Sequence, residues 1–82
     1  MSELTVAVIS PEQIVYEGAA KMVVAPAYDG EVGVLPGHAP ILTLLGKGVL
    51  RVGDGVRINV RGGFMQVADN VVRVVAEYAE RA

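Results

Sequence analysis

The sequence predicts an all-β domain, an about ten-stranded β-sandwich or flattened barrel, and three observations carry that reading. Ten glycines and four prolines interrupt the 82 residues at short intervals. The stretches between them are short and rich in β-branched residues, the pattern of many short antiparallel strands. Hydrophobic residues make up 52% of the chain and aromatics only 5%, so the core is aliphatic and largely valine. Valine suits a pleated, half-buried surface.

The elements follow in order. Leu4–Ile9 is the first strand, ended by Ser10-Pro11. Residues 13–17 form the second, ended by Gly18, and residues 21–25 the third, ended by Pro26. Asp29-Gly30 is a turn, because glycine accepts the positive φ that such turns need. Residues 31–35 follow, ended by Pro36-Gly37, and then residues 41–45, ended by Gly46-Lys47-Gly48. Residues 49–52 lead into the hairpin tip Gly53-Asp54-Gly55. Val56, Ile58 and Val60 alternate with Arg57, Asn59 and Arg61, which buries one face and wets the other. Gly62-Gly63 allows a bend or bulge. Residues 64–68 and 71–76 flank the hairpin turn Asp69-Asn70. The tail, residues 76–82, alone has helix-friendly composition and reads as the opening of a helix, at most a short helical turn. The whole chain, residues 1–82, is one small domain.

Composition excludes several function classes. The net charge is −2, and Lys21, Lys47, Arg51, Arg57, Arg61, Arg73 and Arg81 are scattered along the sequence, so nucleic-acid binding is not expected. Without cysteine there is no disulfide and no thiolate metal site. One histidine, His38, does not make a zinc centre. The N-terminus lacks the basic start and apolar core of a signal peptide. No apolar run is long enough to span a bilayer, so membrane association would go through another protein.

The inventory for catalysis is thin. A Ser10–His38 dyad has no supporting motif. Asp29 and Glu31 flank a turn, without the aromatics of a sugar cleft. Gly46-Lys47-Gly48 lacks the Ser or Thr and the upstream glycine of a phosphate-binding loop. The expectation is a non-catalytic protein without metal or cofactor. One alternative is a lipoyl- or biotinyl-like carrier domain, with Lys47 as the modified residue. Another is a small β-barrel enzyme or ligand-binding barrel, which would need a polar pocket. By contrast, Pro36 and Pro40 fix φ at two points and Gly37 admits a conformation that other residues resist. The loop between them should be rigid and should present His38 and Ala39 for recognition.

The segment Asp29-Gly30-Glu31-Val32-Gly33-Val34-Leu35-Pro36-Gly37-His38-Ala39-Pro40 resembles the signature of F-type ATP synthase epsilon subunits. Three more pieces match in order: Val8-Ile9-Ser10-Pro11-Glu12 with Val15-Tyr16-Glu17-Gly18, then Gly48-Val49-Leu50-Arg51-Val52, then Gly62-Gly63-Phe64-Met65-Gln66-Val67 with Asn70-Val71-Val72-Arg73-Val74 and Ala76-Glu77. The resemblance covers nearly the whole chain. It implies a ten-stranded sandwich that sits in the central stalk, one copy per complex. Such a part joins gamma to the c-ring and couples proton or sodium flow to ATP synthesis, on the cytoplasmic face of the bacterial inner membrane. By this resemblance Ser10, His38, Ala39, Pro40 and Thr43 face gamma, and Asp29, Gly30 and Glu31 face the c-ring. Family members commonly continue into a two-helix domain. This sequence stops at the domain junction, so inhibition by helix insertion and ATP binding at those helices are expected to be absent.

Overall fold

A computed structural model describes residues 2–82; Met1, the first residue of the expected domain, lies outside them. The strands are β1 (Leu4–Ile9), β2 (Ile14–Ala20), β3 (Val23–Ala27), β4 (Gly30–Val34), β5 (Ile41–Leu44), β6 (Lys47–Val52), β7 (Val56–Ala68) and β8 (Val71–Arg81). They hydrogen-bond in the order β2-β1-β8-β7-β6-β3-β4, with β5 added to β7. All pairs are antiparallel except β1 with β8.

The two long strands serve both layers of a sandwich. Residues 71–75 of β8 pair with β1, and residues 78–81 continue along residues 58–61 of β7. Residues 64–67 of β7 pair with β5, and residues 56–61 pair with β6. The first layer is therefore β2, β1, the start of β8, the end of β7, and β5. The second is the end of β8, the start of β7, β6, β3 and β4. Eight strands thus supply ten strand segments, which reconciles the observed strands with the sandwich expected from the sequence.

Gly62 (φ +68°) and Gly63 (φ +100°) bend β7 between the layers. The bend shifts the phase of the inward alternation. Ile58 and Val60 point into the core before it, and Met65 and Val67 after it. β8 shifts at the same place, from Val72, Val74 and Ala76 to Ala79. Both layers thereby turn their aliphatic sides to one cluster that includes Leu4, Val8, Val23, Leu50, Ile58 and Met65. Each such side chain fully buried contributes about 1.5–3 kcal/mol.

The turns explain themselves locally. Asp69 (φ 52°) and Asn70 (φ 62°) occupy the left-handed region at both central positions of a two-residue hairpin, as a type I′ turn requires. The β3–β4 turn falls on Tyr28-Asp29, one residue earlier than expected, because Ala27 already pairs with Gly30.

Three local expectations are corrected. The tail 76–82 does not open a helix, because β8 runs to Arg81. Helix propensity is a weak prior, and here the ladder to β7 and the buried Ala79 override it. β3 does not stop before Pro26 but runs through it. Pro26 lies where the pairing of β3 changes register, from Val24–Arg51 to Ala27–Leu45, a place that tolerates a missing N–H. β2 runs past Gly18 to Ala20, where Leu4 pairs with it.

Candidate docking surface

An antiparallel sheet with one face in water is expected to carry polar residues on that face. The second layer largely obeys, with Val49 and Tyr78 as its exposed apolar exceptions. Lys47, Arg51, Arg57, Asn59, Arg61 and Glu80 all point outward and are exposed. Four cations scattered in the sequence are thus gathered on one face by the β6–β7 register, with Lys47 opposite Arg61 and Arg51 opposite Arg57. Tyr78 donates a hydrogen bond to Glu80 Oε1 at 2.8 Å, and the Arg61 guanidinium lies 5.3 Å from its ring centre. The hydrogen bond to Glu80 holds the Tyr78 phenol above its ordinary range, while Arg61 pulls the other way.

The first layer breaks the rule. Leu44 pairs with Phe64, Phe64 with Val75, Val75 with Ile9, and Ile9 with Ile14. All five project outward, since the alternate residues Met65, Val74 and Val8 are buried. Leu42 and Leu44 on the edge strand leave 70% and 61% of their surface exposed. Tyr28 is 68% exposed, and its N–H donates to Leu44 O at 3.0 Å, which sets another exposed apolar residue beside the edge of the layer. A contiguous outward apolar row of this kind marks an interaction surface.

The residues singled out from the sequence surround this face rather than forming one cluster. Ser10 is buried where β1 turns toward β2; its N–H (2.9 Å) and hydroxyl (3.3 Å) both donate to Gln13 O. Leu35-Pro36-Gly37-His38 is a tight turn closed by His38 N–H to Leu35 O at 3.1 Å, with Gly37 at φ +88°. Gly37 N–H also donates to Asn70 Oδ1 at 2.7 Å, so the loop is tied to the β7–β8 turn. His38 Nδ1 lies 2.6 Å from Ala39 O, an arrangement that needs its proton on Nδ1. Ala39 and Pro40 are exposed. Thr43 is half-buried opposite the buried Met65, so it faces inward while its neighbours Leu42 and Leu44 face out. The loop lies by the β7–β8 turn, whereas Ser10 lies at the far end of the layer.

Asp29 and Gly30 occupy the β3–β4 tip at the other end of β4 from the His38 loop. Glu31 meets Arg51 at 3.5 Å, with both side chains exposed. Such a pair contributes at most about 1 kcal/mol, so Glu31 remains available to another cation. Among the described residues no group of acidic and histidine side chains could hold a metal ion. Lys47 opens β6 opposite Arg61 instead of crowning a hairpin, so the geometry of a carrier lysine is missing.

Sequence reasoning missed Tyr28, Leu42, Leu44, Phe64, Ile9 and Ile14. The signal was available: residues 41–45 are apolar at both parities, as in a strand covered on both faces.

Comparison with known proteins agrees with this architecture. The chain is 44% identical to the ATP synthase epsilon chain of Brevibacillus brevis over 98% of its own length and 64% of that protein. It is 46% identical to that of Synechococcus elongatus over 95% of its length and 59% of that protein. The chain thus spans about three fifths of the length of such relatives. A chain in the Euglena gracilis mitochondrial ATP synthase structure containing OSCP, F1 and the c-ring superposes with a TM-score of 0.89 at 23% identity, covering 99% of this chain and 54% of that one. A chain of the Tetrahymena thermophila mitochondrial ATP synthase central stalk and c-ring superposes with a TM-score of 0.76 at 17% identity, covering 96% of this chain and 66% of that one. At these identities the superpositions speak to the fold. The family described as the ATP synthase delta/epsilon chain β-sandwich domain matches residues 3–82, and the chain belongs to it.

Proposed function

We propose that this chain is a non-catalytic rotor part of a proton- or sodium-translocating F-type ATP synthase, one copy per complex. It docks on the gamma subunit and contacts the c-ring, and so couples ion flow to ATP synthesis. It is held at the cytoplasmic face of the membrane through those partners. The observation that carries this reading is the outward apolar row of the first layer, which a free-standing sandwich has no use for. Leu42, Leu44, Phe64, Ile9 and Ile14 form the gamma-facing surface, flanked by the rigid loop of His38, Ala39 and Pro40 at one end and by Ser10 at the other. Thr43 acts from beneath, by holding β5 to the core. The Asp29-Gly30-Glu31 tip offers two exposed carboxylates to basic groups on the ring.

The test is binding of the purified chain to its cognate gamma subunit, for wild type and a Leu42→Ser, Leu44→Ser pair. Removing two leucines that become buried on docking costs about 1.5–3 kcal/mol each, so affinity should fall at least about a hundredfold. Thermal stability should stay within a few degrees, because both side chains are exposed in the free chain. A folded wild-type chain that does not bind gamma at all would refute the reading.

A further inference from the structure

One charge sits in the middle of the apolar face. β8 is the central strand of the first layer, flanked by β7 and β5 on one side and β1 and β2 on the other. Arg73 is the middle residue of the stretch 71–75 that pairs with β1, and it points outward. Its partners in register are Gln66 on β7 and Ala7 on β1. Along and across the strands its remaining same-face neighbours are Val71, Val75, Phe64, Ala68, Thr5 and Ile9. None of these eight carries a charge. The nearest acid on this face is Glu17 on β2, opposite Ala7 and two strands from Arg73, roughly 10 Å away. Arg73 forms no ion pair, the pair of Arg51 with Glu31 being the one found among the described residues. Beside it, Gln66, Ala68 and Val71 complete the lining of a shallow cavity of about 150 Å³, room for one side chain of a partner.

A partner that covers this face covers its centre. An arginine placed there is taken out of water, and that burial is strongly unfavourable unless its guanidinium meets an anion. Arginine is also the residue best suited to meet a carboxylate with two parallel hydrogen bonds. Energetic anchors of an interface concentrate at its centre and are enriched in arginine. We infer that Arg73 sets the register of docking by pairing with an Asp or Glu carboxylate on the gamma surface, ringed by aliphatic contacts. The inference rests on the docking reading above and adds to it the chemistry that the partner must present.

The experiment is gamma affinity of the full chain with Arg73→Met and Arg73→Lys, each checked for an unchanged melting temperature. The sign of the methionine effect decides. If a carboxylate faces Arg73, methionine leaves that carboxylate buried and unpaired, and affinity falls roughly thirtyfold or more. Lysine keeps the charge, loses the two-pronged contact and falls by a smaller factor. If no carboxylate is there, methionine removes an unpaired charge from an apolar interface and binding stays equal or tightens. That result overturns the inference while leaving the docking reading intact, since wild type still binds. A wild-type chain that fails to bind gamma overturns both.

Discussion

At the scale of single residues, the two adjacent glycines of the bend have different reasons to be glycine. A Cβ on Gly63 would lie 2.0 Å from Val75 O and 2.8 Å from Ala76 Cα, both backbone atoms that cannot move aside. A Cβ on Gly62 would meet Glu77 Oε1 at 2.5 Å, the end of a flexible, exposed side chain. Gly62→Ala should therefore cost only the left-handed backbone penalty, about 1–2 kcal/mol. Gly63→Ala adds a backbone clash and should cost about 3–5 kcal/mol, combining strain with overpacking. A domain of this size has roughly 4–12 kcal/mol in all, so the second substitution should remove a large share of its stability. Urea denaturation of both variants checks the ranking, and equal losses would refute it.

Among the elements, β8 shows where the sequence was legible and where it was not. Asp69-Asn70 announces its hairpin through chemistry that is purely local, and the turn forms as expected. The alternation over residues 56–61 likewise declares its wet side. Residues 76–82 have no such local signature. Alanine and glutamate favour a helix when alone, and only the distant ladder to residues 58–61 makes them strand. The outward leucines of β5 were hidden for a different reason, because an apolar strand reads as buried on both faces until its neighbours are known. The end of β8 also reaches across the sandwich, where the Arg81 guanidinium lies 5.8 Å from the Tyr16 ring of β2. One prediction belongs to this strand. Tyr78 and Glu80 share an outward face, and the phenol donates to the carboxylate. That bond favours the neutral phenol, so Glu80→Ala should lower the pH at which Tyr78 ionises, toward its usual value near 10.0. Ultraviolet titration of the tyrosines would show it, and an unmoved or raised transition would count against the bond.

For the molecule as a whole, the outward faces of the two layers divide the surface into a mainly apolar side and a mainly charged side. The family resemblance pointed to loop residues that lie beside this apolar side but not to its apolar row, because those residues differ from core residues only in what covers them. The carboxylate tip adjoins the edge of the apolar face, where Tyr28 N–H bonds Leu44 O. Glu31→Lys should weaken retention of the ring by at least about tenfold while gamma binding stays unchanged, a split that co-purification with each partner measures. Equal retention of the ring by wild type and variant would remove Glu31 from that contact.

The pairing of β1 with β8 has a consequence for how the chain is made. Thr5 pairs with Val71, and Ile9 with Val75, so the first strand waits for β8 to emerge from the ribosome. At about 5–20 residues per second, that wait is roughly 3–13 s. During it the β1–β2 hairpin exposes Leu4, Val6 and Val8 together with an open strand edge. The nascent chain is therefore vulnerable to aggregation until β8 has been made, and closes that window only when β8 slides into place between β1 and β7.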